Sequence, residues 1–156
     1  MPIKKSLLLI KKHFPFESRF ATVSGYHIHY VDEGEGETLL LLHGNPTWSF
    51  FYRELIKALS KNYRVIALDH IGCGFSEKPS CTFTAVDRIN HLKEFVKALQ
   101  LKDISLIMHD WGGPIGTGYA VDNPENVKRL IYLNTTLTET ESLPPIIKLA
   151  TTQKVG

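Results

Sequence analysis

Residues 107–116, IMHDWGGPIG, set a carboxylate between an apolar run and a pair of glycines. An aspartate that ends a buried strand just before a glycine-rich helix start stands at the carboxyl edge of a sheet, where open α/β folds bind their ligands. That is the position of a nucleophile elbow, whose serine form is G-x-S-x-G. Here Met108 occupies the place of the first glycine, while Gly112 and Gly113 let the helix pack close behind the turn. A carboxylate with an ordinary pKa of about 3.9 is already ionised at neutral pH, so Asp110 needs no base to attack an electrophilic carbon. The product is an ester of the protein, and water needs a general base, usually histidine, to break it. The competing reading of Asp110 is a helix N-cap that accepts hydrogen bonds from free backbone N–H groups.

Two further stretches bear on that choice. In HGNPTWSFFYR, residues 43–53, Asn45 offers two amide donors, and the indole N–H of Trp111 offers a third. A turn at the end of the strand beside the elbow can aim a backbone N–H and a side-chain amide at charge developing near Asp110. Pro46 could fix this turn through a cis bond. The alternative for Asn45 is a turn residue bonded to its own backbone. In DHIGCGFSEKP, residues 69–79, Gly72 and Gly74 imply tight backbone approach. A phosphate-binding loop is rejected, because GCG lacks the third glycine and the Lys-Ser/Thr pair. Asp69, His70 and Ser76 are expected to brace the elbow.

These stretches must be carried by a regular alternation of strands and helices, the pattern of a mostly parallel sheet covered on both faces. Residues 20–24 and 27–32 alternate around Gly25 and form an antiparallel hairpin. Continuous apolar runs at 39–42, 65–68, 104–108 and 130–133 suit strands buried on both faces. Phe51, Leu55, Ala58 and Leu59 recur at helical spacing over 49–59, and Val86, Ile89, Leu92, Val96 and Leu99 do so over 85–99. Thr84, three residues before Asp87, starts that second helix. A third runs from 112 to 122 and stops at Asn123-Pro124. The expected organisation is an amino-terminal arm or short helix over 1–19, a core over 20–135, and a looser segment with a short helix over 136–156.

With 43% hydrophobic and 22% charged residues and a formal net charge of +2, the chain has an ordinary globular composition. So small a charge gives no field that would draw in nucleic acid. The apolar run 7–10, flanked by lysines, is too short to span a bilayer or form a signal-peptide core, so a cytoplasmic location is expected. Cys73 and Cys81 lack metal-ligand spacing and read as free thiols; no metal or cofactor is called for.

HGNP with Trp48, DHIGCGFSEKP and HDWGG, in this order and spacing, resemble the amino-terminal half of the α/β-hydrolase superfamily, in its haloalkane dehalogenase branch. HGNPTWSFFYREL and LDHIGCGFSEKP are most similar to the cis-β-lactone decarboxylases of bacterial olefin biosynthesis. The likeness covers residues 25–136. It implies that Asp110 is the nucleophile, that Asn45 and Trp111 bind the halide or oxyanion, that the substrate is small and hydrophobic, and that partners include other enzymes of an olefin pathway. Epoxide hydrolases share an HDWGG-like elbow and are the enzymatic alternative, although they usually carry an aromatic residue where Asn45 stands. A non-catalytic fragment of the same fold is the other reading.

The resemblance also implies a helical cap, which makes 136–156 the start of that cap or a loose tail, and, beyond Gly156, two further core strands, a late acid and a late histidine base. The expectation is therefore a fragment, an engineered truncation or half of a split gene. His109 should point away from the carboxylate, and His43 belongs to the oxyanion turn, so neither is expected to act as base. Asn134 and Thr135 stand where some dehalogenases have a glutamate. The sheet edge at 130–133 is expected to promote self-association.

Overall fold

The computed structural model describes residues 10–135, so the expected short helix in 136–156 and the run 7–9 lie outside the described residues. Six strands, β1 (Arg19–Val23), β2 (Tyr26–Glu33), β3 (Thr38–Leu42), β4 (Arg64–Leu68), β5 (Ile104–His109) and β6 (Val127–Leu133), form one sheet in the order β1-β2-β4-β3-β5-β6. The β1–β2 hairpin is antiparallel, as is its junction with β4, and the β4-β3-β5-β6 portion is parallel. Among the described residues the helices α1 (Arg53–Leu59), α2 (Ala85–Ala98) and α3 (Gly112–Asp122) cover the two faces. This is a partial α/β-hydrolase architecture, as the sequence predicts.

The continuous apolar runs explain why β3, β4 and β5 lie at the centre. Leu40, Leu42, Ile66, Leu68, Leu106 and Met108 point to one face, where Leu92, Phe95 and Val96 of α2 and Ile115 and Tyr119 of α3 bury them. Leu39, Leu41, Val65, Ala67 and Ile107 point to the other, under Ile56 of α1, Tyr52 and Phe14. Phe14 is buried against Phe16, Trp48 and Phe50, so the described part of the arm is docked on the core. Thr84 and Asp87 form the expected reciprocal cap of α2, with Thr84 Oγ accepting from the Asp87 N–H and Asp87 accepting from the Thr84 N–H.

Three expectations need correction. The segment 49–59 is not one α-helix: Ser49–Tyr52 is a 3₁₀ turn leading into α1, and the break falls at Tyr52, whose buried hydroxyl is tied to the Leu42 carbonyl and whose backbone, at φ −90° and ψ 4°, leaves the α-helical region. Its buried face is Tyr52 and Ile56, whereas Phe51 and Leu55 are exposed. β6 starts at Val127, three residues before the apolar run, since Lys128 and Arg129 lie on an exposed edge strand and Arg129 pairs with Glu37. Leu130 and Tyr132 of that strand are each 39% exposed, so this run is not buried on both faces, and among the described residues β6 is an edge of the sheet. Among the described residues no helix is long and apolar enough to cross a membrane.

Candidate active site

Parallel pairing of β3 with β5 sets Leu42 opposite Met108, so the two strands end side by side and the residues that follow this pair, His43–Asn45 and His109–Trp111, meet at the same rim. Asp110 adopts φ 51°, the left-handed region in which a non-glycine residue is held only by its surroundings. Two bonds hold it there. The Asp110 carbonyl accepts from the Gly113 N–H at 3.0 Å, and from the Thr135 hydroxyl, just beyond β6, at 2.6 Å.

The carboxylate does not cap α3. That helix has Trp111 at its N-cap position, and among the described residues no side chain caps its first N–H groups. Asp110 Oδ1 instead accepts from the backbone N–H of Asn45 at 2.9 Å. The Asn45 donor found at the carboxylate is thus the main-chain N–H, whereas the sequence suggested the side-chain amide as well. The amide oxygen Oδ1 lies 4.0 Å from Cys73 Sγ. Trp111 is 45% exposed at the rim. Asn45-Pro46 is a cis peptide bond.

Glycines make this approach possible. A Cβ on Gly44 would collide with the side chain of Asp110, so the absence of a side chain at 44 lets the carboxylate lie over the turn. Gly44 was not singled out in the sequence; its place between the end of β3 and Asn45 was the available signal. A Cβ on Gly112 would run into the Leu42 carbonyl, whose carbon would lie at 2.7 Å. The same carbonyl oxygen is tied by the buried Tyr52 hydroxyl at 2.8 Å, so it has little room to retreat. Gly112→Ala is therefore expected to lower the unfolding free energy by about 1–3 kcal/mol, the usual cost of overpacking, read as a fall in urea midpoint at unchanged m-value.

The neighbouring histidines are committed elsewhere. His43 is buried, with Nδ1 on the Gly44 carbonyl at 2.9 Å and Nε2 accepting from the His70 N–H at 2.9 Å. Burial pushes its pKa down, against the Gly44 bond and the charges of Asp69 and Asp110. A neutral ring with the proton on Nδ1 satisfies both contacts. His109 stacks on Phe51 at 4.5 Å between centroids, and its Nδ1 is buried without a partner. Among the described residues neither ring is hydrogen-bonded to the Asp110 carboxylate.

The 69–76 loop is braced through Asp69, which is buried. Its carboxylate accepts from Ser49 N–H at 2.7 Å, Phe75 N–H at 2.9 Å and His29 Nδ1 at 2.9 Å. Burial raises its pKa, but the His29 bond and the two backbone donors outweigh that and hold it below the usual carboxylate range. Ser76 closes the loop, donating to the Asp69 carbonyl at 2.6 Å and accepting from the His29 N–H at 2.8 Å. Gly74 allows close approach to Asp69, as expected. Gly72 differs: space around it is open, and its need is conformational, at φ 92°.

The chain is 45% identical over 137 residues to a cis-3-alkyl-4-alkyloxetan-2-one decarboxylase of Shewanella oneidensis, a match that takes in 83% of this chain and 43% of that protein. It is likewise 45% identical over 123 residues to haloalkane dehalogenase 2 of Mycobacterium tuberculosis, covering 78% and 43% of the two chains. The epoxide hydrolase CorEH superposes with a TM-score of 0.76 at 35% identity over 86% of this chain and 48% of that one. The chain thus spans less than half the length of the relatives it matches. The family described as alpha/beta hydrolase fold matches residues 37–152. With the bent turn carrying Asp110 at the end of β5 and the strand order around it, that match settles the kinship: the chain belongs to the alpha/beta hydrolase fold family.

Proposed function

We propose that Asp110 is the nucleophile of a hydrolase- or lyase-type reaction on a small hydrophobic electrophile, with a β-lactone ahead of a haloalkane as substrate. The observation that carries this reading is the left-handed Asp110, its carboxylate facing the Asn45 N–H rather than the start of α3. The likeness to the decarboxylase and the dehalogenase supports the choice of electrophile. Asp110 attacks carbon, an Oδ–C bond forms, and a carbon–halogen bond or a strained ring C–O bond breaks. The electron pair leaves with the halide or the ring oxygen. The Asn45 side chain and the Trp111 indole N–H stabilise that departing anion.

Release of the ester needs a base, and among the described residues no histidine is hydrogen-bonded to Asp110. The isolated 156-residue chain is accordingly expected to take one equivalent of label without turnover. Intact-mass measurement after incubation with a reactive β-lactone or haloalkane tests this, and multiple turnovers would overturn the single-hit account. Trp111→Phe keeps the ring and deletes the donor; labelling should slow by about 10²-fold, the scale of losing one anion-stabilising donor. An unchanged rate would remove Trp111 from the anion site.

The epoxide hydrolase reading rests on the structural likeness to CorEH and predicts labelling by an epoxide in preference to a lactone or haloalkane. A purely structural role for the turn predicts no labelling at all. Self-association through the open β6 margin, a cytoplasmic setting and partner enzymes of an olefin pathway complete the proposal.

A further inference from the structure

We propose that Ser18, His29 and Asp69 form a second nucleophilic centre, sharing no residue with the Asp110 turn, that accepts acyl or phosphonyl groups from activated esters and fluorophosphonates. Ser18 is exposed and sits just ahead of β1; the β1–β2 register pairs Phe20 with His29, so Ser18 lies diagonally across from that histidine. Its Oγ is 3.0 Å from His29 Nε2, and His29 Nδ1 is 2.9 Å from Asp69 Oδ2. Both inner members are completely buried.

The hydrogen-bond pattern fixes who holds the proton. Asp69 takes three donors and offers an ionised carboxylate, which requires a proton on His29 Nδ1. In the neutral ring Nε2 is then an acceptor, and the Ser18 hydroxyl donates to it. This is the arrangement of a nucleophile, a base and an orienting carboxylate, recognised by geometry and roles rather than by sequence order. The Asp69 charge also stabilises the imidazolium formed when Ser18 gives up its proton.

The surroundings set the class of ligand. The rings of Phe20 and Phe75 flank His29 at 5.4 and 5.1 Å and are themselves 56% and 38% exposed, an apolar surface for an aryl or alkyl group beside Ser18. His29 is covered, so it can take the serine proton but cannot reach a leaving group or a water molecule. The step is therefore limited to leaving groups that depart as anions. Ser18 Oγ attacks phosphorus or the carbonyl carbon, the Oγ–H proton moves to His29 Nε2, the P–F or C–O bond breaks, and fluoride or a phenolate leaves with the electron pair. The adduct stays on the protein.

An alkyl fluorophosphonate, applied to the intact chain and to its Asp110→Asn variant, tests this by peptide mapping. The expected result in both is one adduct at Ser18, forming about 10²-fold faster than at the exposed Ser80, the lower range of general-base assistance. The adduct should disappear in Ser18→Ala and also when the unsubstituted chain is labelled in denaturant. Absence of a Ser18 adduct, a rate equal to that at Ser80, or labelling that survives unfolding would each show that the contact only tethers the segment ahead of β1. Because the Asp110→Asn variant is included, failure here leaves the Asp110 reading untouched.

Discussion

Asp110→Asn is expected to leave no ester adduct after incubation with a β-lactone or primary haloalkane, whereas the unsubstituted chain gains one equivalent. The loss should be at least about 10³-fold, since removing the nucleophile of a serine protease costs up to about 10⁶. The substitution isolates chemistry from architecture. Asparagine tolerates the left-handed region as aspartate does, so φ 51° at position 110 remains accessible. Its amide oxygen can still accept from the Asn45 N–H, and the carbonyl bonds to Gly113 and Thr135 involve only the main chain of residue 110. The variant should therefore unfold at the same urea midpoint to within about 0.5 kcal/mol. Full labelling of Asp110→Asn would place the reactive group elsewhere, and a collapse of stability would make the turn a structural device first.

The second large effect is on stability. Asp69→Ala removes the common acceptor of three buried donors and leaves His29 Nδ1, the Ser49 N–H and the Phe75 N–H without their partner. Breaking one side of such a buried, charge-assisted network costs about 3–5 kcal/mol, and here one deletion loosens β2, the 3₁₀ turn and the 69–76 loop together. Denaturant titration against the unsubstituted chain provides the measurement. The pH dependence follows from the lowered pKa of Asp69 in the folded state. A carboxylate held below its unfolded value of about 3.9 binds fewer protons when folded, so its contribution is complete above that pH and fades as pH falls through the folded value. The gap between the two proteins should thus be constant from neutrality to about pH 5 and narrow under stronger acid. A gap that widened in acid would mean that burial, not the three donors, governs this carboxylate.

Much of this was legible in the chain itself because it depends on local pattern. The apolar runs of β3, β4 and β5 announce strands covered on both faces, and Thr84 with Asp87 announces the start of α2. The meeting of Asn45 with Asp110 follows once β3 and β5 are neighbours. What escaped depends on partners distant in sequence. A 3₁₀ turn and an α-helical turn share nearly the same apolar spacing over four residues, and the break falls at Tyr52, whose hydroxyl is held by the Leu42 carbonyl ten positions back. The polar start of β6 hides its strand character because one face of an edge strand needs no apolar cover. Likewise, nothing near His29 in sequence reveals that its two ring nitrogens find Ser18 and Asp69.

The Thr135 hydroxyl grips the main chain of Asp110 from just past the end of β6. Among the described residues β6 is one edge of the sheet, so the bend at Asp110 is bolted through its main chain to a strand with a neighbour on one side. Fraying of that strand would release the main-chain grip on residue 110 without touching its side chain.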